Sequence, residues 1–144
     1  MKTLIGLFGT SNVGKSQTIR FVYEKLTKKF LDFTFHKDHE QIIPEDGDIC
    51  IVIIVNGIII GIESQGDPNS RIFYSLPIFV KLKCDIILCA TRTRGATVKE
   101  VEKLDKEYEI KWVNKSGEQD ETKHKTNNEE IAIDILNIIT EKLK

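Results

Sequence analysis

The sequence has few cysteines, and their spacing excludes the sites that cysteines usually build. Only three occur, an odd number, and no two of them stand in a Cys-x-x-Cys arrangement. This pattern indicates neither a disulfide framework nor a zinc site. We therefore expect Cys50, Cys84 and Cys89 to be reduced, buried thiols.

A long hydrophobic run and an excess of charge of one sign are also lacking. The longest apolar stretch, residues 51–62, is too short to span a bilayer and contains a turn signal. A formal net charge of −1 gives no general attraction to nucleic acids or anionic membranes. A strand is predicted directly after the first residues, which leaves no room for a signal peptide. We therefore expect a cytoplasmic protein that binds neither nucleic acid nor membrane.

The length and composition are those of one globular domain. With 144 residues, the chain is large enough to bury about two-thirds of its unfolded surface. Hydrophobic residues make up 40% and charged residues 30%, which is ordinary for a folded protein. We expect a single domain over residues 1–144.

The most specific pattern is Gly-x-x-x-x-Gly-Lys-Ser, which runs from Gly9 to Ser16. The short apolar run before it, residues 4–8, predicts a buried strand. From Gln17 to Phe30, apolar residues recur every three or four positions, as one face of a helix requires. A glycine-rich turn between a strand and a helix directs backbone N–H groups and the positive end of the helix dipole at one anion. The sequence therefore predicts a phosphate-binding loop.

The residues of this loop have distinct expected roles. Gly9 and Gly14 let the backbone approach phosphate oxygens without an intervening Cβ. Lys15 supplies a positive charge for the β- and γ-phosphates, and the Ser16 hydroxyl is a ligand for Mg²⁺. The predicted nucleotide-binding residues of this segment are Gly9, Thr10, Ser11, Asn12, Val13, Gly14, Lys15, Ser16 and Gln17.

A β-hairpin is predicted at about residues 50–62. Two β-branched runs are separated by Asn56-Gly57, which is the favoured two-residue hairpin turn. Both runs are apolar at every position, so we expect helices on both faces of the sheet.

Strand and helix patterns alternate along the remaining chain. Further strands are predicted at residues 85–90 and 109–113, and helices at 69–83, 98–104 and 129–143. We expect Pro77 to break or kink the first of these helices, and Asn127 or Asn128 to cap the last. Residues 114–128 are predicted to form a long mobile loop. This order predicts an α/β fold, a three-layer α/β/α sandwich around a mainly parallel sheet with one antiparallel hairpin.

Charged residues follow the predicted strands. Glu63 ends the second hairpin strand, Asp67 begins the next turn, and Arg92 and Arg94 follow the strand at residues 85–90. Ligands of open α/β sheets bind at the carboxyl ends of the strands, so we expect these residues beside the loop. An acid at the end of a buried strand can hold Mg²⁺ or orient water.

We expect Glu63 to lie close to Ser16 as the main group that holds Mg²⁺ or positions water. On this view, replacing Glu63 by glutamine leaves the melting temperature nearly unchanged. Asp67 is a second metal candidate, and otherwise it caps the following helix or anchors an arginine. At least one of Arg92 and Arg94 is expected to stabilise charge on the γ-phosphate.

The loop and the order of elements resemble the P-loop NTPase superfamily, and within it the small Ras-like GTPases. The resemblance implies that Gly66 offers its N–H to a γ-phosphate. The segment from Asn114 to Gly117 has glycine where the guanine-specific motif of that family has aspartate. We therefore expect ATP, or a purine triphosphate without strong base choice, together with Mg²⁺, and GTP remains the alternative.

These patterns favour hydrolysis of a nucleoside triphosphate, because no segment is large enough for the lid or acceptor domain of a kinase. A small-molecule kinase, a nucleotide-dependent binding switch and a structural module with a vestigial loop remain open. The predicted catalytic residues are Lys15, Glu63, Arg92 and Arg94. The predicted metal ligands are Ser16, Glu63 and Asp67.

Overall fold

A computed structural model describes residues 2–10, 14–115 and 124–144. In these ranges the elements are β1 (Lys2–Phe8), α1 (Lys15–Lys29), β2 (Thr34–Phe35), β3 (Cys50–Val55), β4 (Ile58–Glu63), α2 (Ile72–Lys81), β5 (Ile86–Thr91), α3 (Ala96–Glu102), β6 (Tyr108–Asn114) and α4 (His124–Lys142). The chain therefore has an α/β fold. Every helix in the described ranges is too short or too polar to cross a membrane.

The strands form one mixed sheet in the spatial order β2-β3-β4-β5-β1-β6. Strands β4, β5, β1 and β6 are parallel to one another, whereas β3 is antiparallel to both of its neighbours. The predicted hairpin is confirmed, with a φ of 52° at Asn56 and 78° at Gly57. Positive φ at both central residues is what a type I′ turn requires.

Helices cover both faces of the sheet, as the apolar strands of the hairpin predict. On β1, Ile5 and Leu7 pack with α1 and α4, whereas Leu4 belongs to the core on the α2 and α3 side. All three side chains are fully buried. The three cysteines are free, and their expected burial is confirmed.

The expected break at Pro77 and the expected N-cap of the last helix are wrong. Helix α2 continues through Pro77, because Leu76 and Phe79 on either side of it are buried against the sheet while Pro77 itself is exposed. Helix α4 begins at His124, so Asn127 and Asn128 lie inside the helix and not at its N-cap. The remainder of the predicted loop, residues 116–123, lies outside the described residues.

Strand direction brings several segments to one edge of the sheet. The parallel strands β1, β4, β5 and β6 end there. Strands β1, β4 and β5 are each followed by a segment that holds predicted site residues. Strand β3 runs the other way, and its first residue, Cys50, pairs with Glu63, the last residue of β4. The residues just before β3 therefore lie at the same edge.

Candidate functional site

The loop between β1 and α1 requires glycine at position 14, where it joins the helix. Gly14 has a φ of 93° and a ψ of 21°, a left-handed conformation that glycine adopts without strain. A Cβ at this position would also lie 2.5 Å from Asn128 Oδ1. The predicted ligands Ser11, Asn12 and Val13 lie outside the described residues.

The Lys15 side chain is turned back onto the ends of two neighbouring strands. Its Nζ donates hydrogen bonds to the carbonyl oxygens of Gly9 at 2.6 Å and Thr91 at 2.8 Å. Burial lowers the pKa of Lys15 from 10.5 to about 8, while the charge of Asp67 raises it and that of Arg92 lowers it further. Among the described residues, the ammonium group thus has carbonyl partners and no carboxylate in contact, an arrangement that an anionic ligand would improve.

This lowered pKa predicts a pH dependence of stability. Below about pH 8 the lysine is protonated in both the folded and the unfolded chain. Between about pH 8 and the unfolded pKa of 10.5, the unfolded chain binds more protons, so the free energy of unfolding rises with pH. Relative to Lys15→Met, we expect the wild-type protein to gain about 1–2 kcal/mol between roughly pH 7.5 and pH 9.5. Urea unfolding of both proteins at the two pH values measures this gain, and equal pH profiles would contradict it.

The Ser16 hydroxyl contacts a carboxylate that sequence reasoning missed. It donates to Asp48 Oδ1 at 2.5 Å and lies 3.4 Å from the Ser64 carbonyl oxygen. The Ser64 hydroxyl donates to the same Asp48 oxygen at 2.9 Å, and its oxygen accepts a bond from the Ile49 N–H at 2.9 Å. The Asp48 carboxylate is therefore fixed beside the first turn of α1.

The sequence contained a signal for Asp48. In the sequence, Asp48 is the last residue of a turn-forming run just before the hairpin. The first hairpin strand must run antiparallel to the second, however. The residue before it therefore lies at the edge where the second strand ends. Combining the hairpin with the direction of the parallel strands identifies Asp48 as a candidate.

The sequence predicted that Glu63 lies close to Ser16, but the Glu63 carboxylate contacts other residues. Glu63 is completely buried, and its carboxylate accepts hydrogen bonds from Arg71 Nε at 2.7 Å, Arg71 Nη2 at 2.9 Å and the Ser75 hydroxyl at 2.6 Å. It also accepts a bond from the Gln65 N–H at 3.1 Å. These contacts make Glu63 the anchor of the segment that leads into α2.

Alternation along β4 explains this placement. A Cβ at Gly61 would meet Phe79 of α2, and Glu63, two residues later, faces the same side. Ile60 and Ile62 face the core formed by α1 and α4. Strand β5 also separates β4 from β1, which places the end of β4 two strand spacings, about 10 Å, from the end of β1.

Asp67 and one of the two predicted arginines form an exposed ion pair near Lys15. Arg92 Nε lies 2.9 Å from Asp67 Oδ1, with 35% of the Arg92 side chain and 60% of the Asp67 side chain exposed. This confirms the expectation that Asp67 anchors an arginine. Arg94 is exposed to solvent.

Gly66 brings the chain between β4 and α2 against the end of β5. An ideal Cβ on Gly66 would lie only 2.1 Å from the Ala90 carbonyl oxygen, so no side chain fits there. This close approach carries Asp67, the next residue, to the end of β5, where Arg92 begins the following turn. Whether the Gly66 N–H serves a phosphate stays a prediction.

Helix α4 borders the loop on the β6 side. Asn128 Nδ2 donates to Gln17 Oε1 at 3.0 Å, so Gln17 of the predicted binding set contacts α4. Within the described part of the chain, Asn128 Oδ1 is buried without a hydrogen-bond partner. Lys115 is buried, its backbone N–H donates to the Phe8 carbonyl oxygen at 2.8 Å, and its Nζ donates to Asn127 Oδ1.

Among the described residues, no cluster of three or more His, Cys, Asp or Glu side chains could hold a metal ion by itself. A nucleotide-bound Mg²⁺ needs fewer protein ligands, because phosphate oxygens and water complete its octahedron. The Ser16 hydroxyl and the Asp48 carboxylate fit that requirement. Of the predicted metal ligands, Glu63 and Asp67 are instead engaged with arginines.

Comparisons of the chain with protein-family models, with curated protein sequences and with solved structures give no significant match in any of the three. The functional argument therefore depends on the geometry of this site.

Proposed function

We propose that this protein binds the phosphates of a nucleoside triphosphate together with Mg²⁺ at the start of α1, and hydrolyses it. One observation carries the proposal. The first two residues of α1 present a buried ammonium group, Lys15, and a hydroxyl held by a carboxylate, Ser16 with Asp48. A cation for phosphate next to a Ser–Asp pair for Mg²⁺ is the donor set that a triphosphate needs.

Lys15 contributes charge to phosphate binding. Its present acceptors are the neutral carbonyls of Gly9 and Thr91. A phosphate oxygen would take the place of one of these carbonyl oxygens. Because it is a charged acceptor, it forms a stronger hydrogen bond with the ammonium group. An anion there also raises the pKa of Lys15, so the bound state keeps the lysine protonated.

Ser16 and Asp48 would hold Mg²⁺, which supplies charge neutralisation on the phosphate oxygens when bound. The Ser64 hydroxyl keeps the Asp48 carboxylate in place, so little side-chain freedom is lost on binding.

Arg92 and Asp67 supply the mobile charges of the site. Their exposed ion pair is worth little in water, so Arg92 can exchange Asp67 for a phosphate oxygen at small cost. The released Asp67 carboxylate is then available to orient a water molecule. We propose ATP as the nucleotide, because Gly117 provides no carboxylate for guanine.

The proposal is tested by the variant Asp48→Asn. Asparagine keeps the shape and can still accept from Ser16, but it is a much weaker Mg²⁺ ligand. We expect the gain in ATP affinity on adding MgCl₂ to fall about ten- to a hundredfold, as measured by titration calorimetry with and without the metal. ATP affinity without Mg²⁺ should change little.

Asp46→Asn is the matched control, because Asp46 is an exposed acid in the same turn. The control should retain the full Mg²⁺ effect. If Asp48→Asn and Asp46→Asn show the same Mg²⁺ effect as the wild-type protein, Asp48 does not hold the metal.

A further inference from the structure

Strand β6 is the outermost strand of the sheet on the side of β1, and no strand in the described ranges pairs with its outer edge. It is regular over seven residues, and its register with β1 continues without a bulge from Tyr108 to Asn114. An open, regular edge of this length is a template for pairing with another strand.

One hydrogen bond shows which residues of β6 direct their backbone N–H and C=O groups toward β1 and which direct them outward. The Lys115 N–H donates to the Phe8 carbonyl oxygen at 2.8 Å, so odd-numbered residues of this strand point their N–H and C=O groups at β1. Ile110 and Trp112 therefore point theirs outward. The Tyr108 N–H is bonded to the Leu104 carbonyl oxygen at 2.9 Å, which leaves the Tyr108 carbonyl as an outward acceptor.

The exposed charges on β6 balance each other. Glu109 and Lys111 lie on one face of the strand, with Lys111 Nζ 3.5 Å from Glu109 Oε1. A lone lysine on an edge strand discourages pairing, but here the adjacent carboxylate cancels its charge. Within residues 108–114, the strand therefore carries no net charge that would repel a second copy.

We propose that β6 pairs antiparallel with β6 of a second copy of this chain, about a twofold axis at Ile110. In this register Ile110 lies opposite Ile110 of the second copy, and their outward N–H and C=O groups bond to each other. Glu109 lies opposite Lys111 of the second copy. By symmetry, Lys111 lies opposite Glu109 of the second copy. The two sheets become one continuous sheet.

Charge favours this register over the two neighbouring ones. A twofold axis at Glu109 would place two carboxylates directly opposite each other, and an axis at Lys111 would oppose two ammonium groups. The axis at Ile110 pairs opposite charges twice. It also puts them at a non-hydrogen-bonded position, where side chains approach most closely. Trp112, which is 38% exposed, then lies opposite Tyr108 of the second copy on the other face.

Analytical ultracentrifugation of the full chain, from low micromolar to several hundred micromolar, tests this proposal. We expect a monomer–dimer equilibrium. Lys111→Glu and Glu109→Lys should each weaken dimerisation about tenfold or more, because both cross-strand pairs become like-charged. The double variant Glu109→Lys/Lys111→Glu restores opposite charges and should dimerise like the wild-type protein.

A mixture of the two single variants provides a further check, because an acidic edge then meets a basic one. We expect the mixture to form a heterodimer at concentrations where each variant alone is monomeric. Circular dichroism of each variant confirms that these exposed substitutions leave the fold intact. A wild-type monomer at every concentration would overturn the proposal, as would a dimer that neither single variant weakens.

Discussion

Lys15→Met is expected to weaken the binding of Mg²⁺-ATP about ten- to a hundredfold, which corresponds to the loss of a charge-assisted hydrogen bond of about 1.5–3 kcal/mol. Methionine keeps the length and apolar character of the side chain but cannot donate to a phosphate. The fold should persist, because burial already disfavours the lysine charge, as the lowering of its pKa to about 8 indicates. Titration calorimetry with ATP and MgCl₂ measures the effect.

Lys28→Met is the matched control for this experiment, since Lys28 is exposed in the last turn of the same helix. It removes the same charge from the protein at a distance from the loop. Equal nucleotide affinity of folded Lys15→Met and Lys28→Met would exclude Lys15 from phosphate binding.

Glu63→Gln is expected to lower the free energy of unfolding by about 2–4 kcal/mol, because it leaves a largely buried guanidinium without its carboxylate. Glu63 is fully buried and 25% of the Arg71 side chain is exposed, so water compensates only part of the loss. In the wild-type protein, hydrogen bonds to Glu63 raise the pKa of Arg71. The guanidinium keeps its charge in the variant as well, because arginine does not lose its proton in proteins. In a chain of this size the loss corresponds to a fall in melting temperature of about 5–15 °C.

Asp67→Asn breaks the other acid–arginine pair at this edge and serves as the control. Its ion pair with Arg92 is exposed on both sides, so we expect a change below about 1 kcal/mol. Thermal and urea unfolding of Glu63→Gln and Asp67→Asn distinguish a structural role of Glu63 from a role in Mg²⁺ binding. If Glu63→Gln melts like the wild-type protein but loses its Mg²⁺ dependence, the role expected from the sequence is correct and the structural role is wrong.

Some elements could be predicted because a short stretch of sequence specifies them. The hairpin was predictable because Asn56-Gly57 adopts the required positive φ values. The strand and the helix on either side of the glycine-rich segment were predictable because an apolar run precedes it and apolar residues recur at helical spacing after it.

Other features depend on contacts between distant parts of the chain, and these escaped prediction. Strand β4 is apolar on both faces, so alternation does not reveal which face Glu63 takes until α2 is packed against it. The insertion of β5 between β1 and β4 is likewise absent from the linear order of elements. Pro77 was expected to break or kink α2, but burial of its neighbours keeps the helix unbroken.

The most direct test of the proposed function is a thermal-shift panel of the full chain with ATP, GTP, CTP and UTP, each with and without MgCl₂. A ligand at about a hundred times its Kd adds about 2.7 kcal/mol of stability, which raises the melting temperature of a chain of this size by about 5–10 °C. We predict such a rise with ATP and MgCl₂, a smaller rise with ATP alone, and a rise at most about half as large with ATP and MgCl₂ in Lys15→Met. An unchanged melting temperature with all four triphosphates, with and without the metal, would contradict nucleotide binding by this protein.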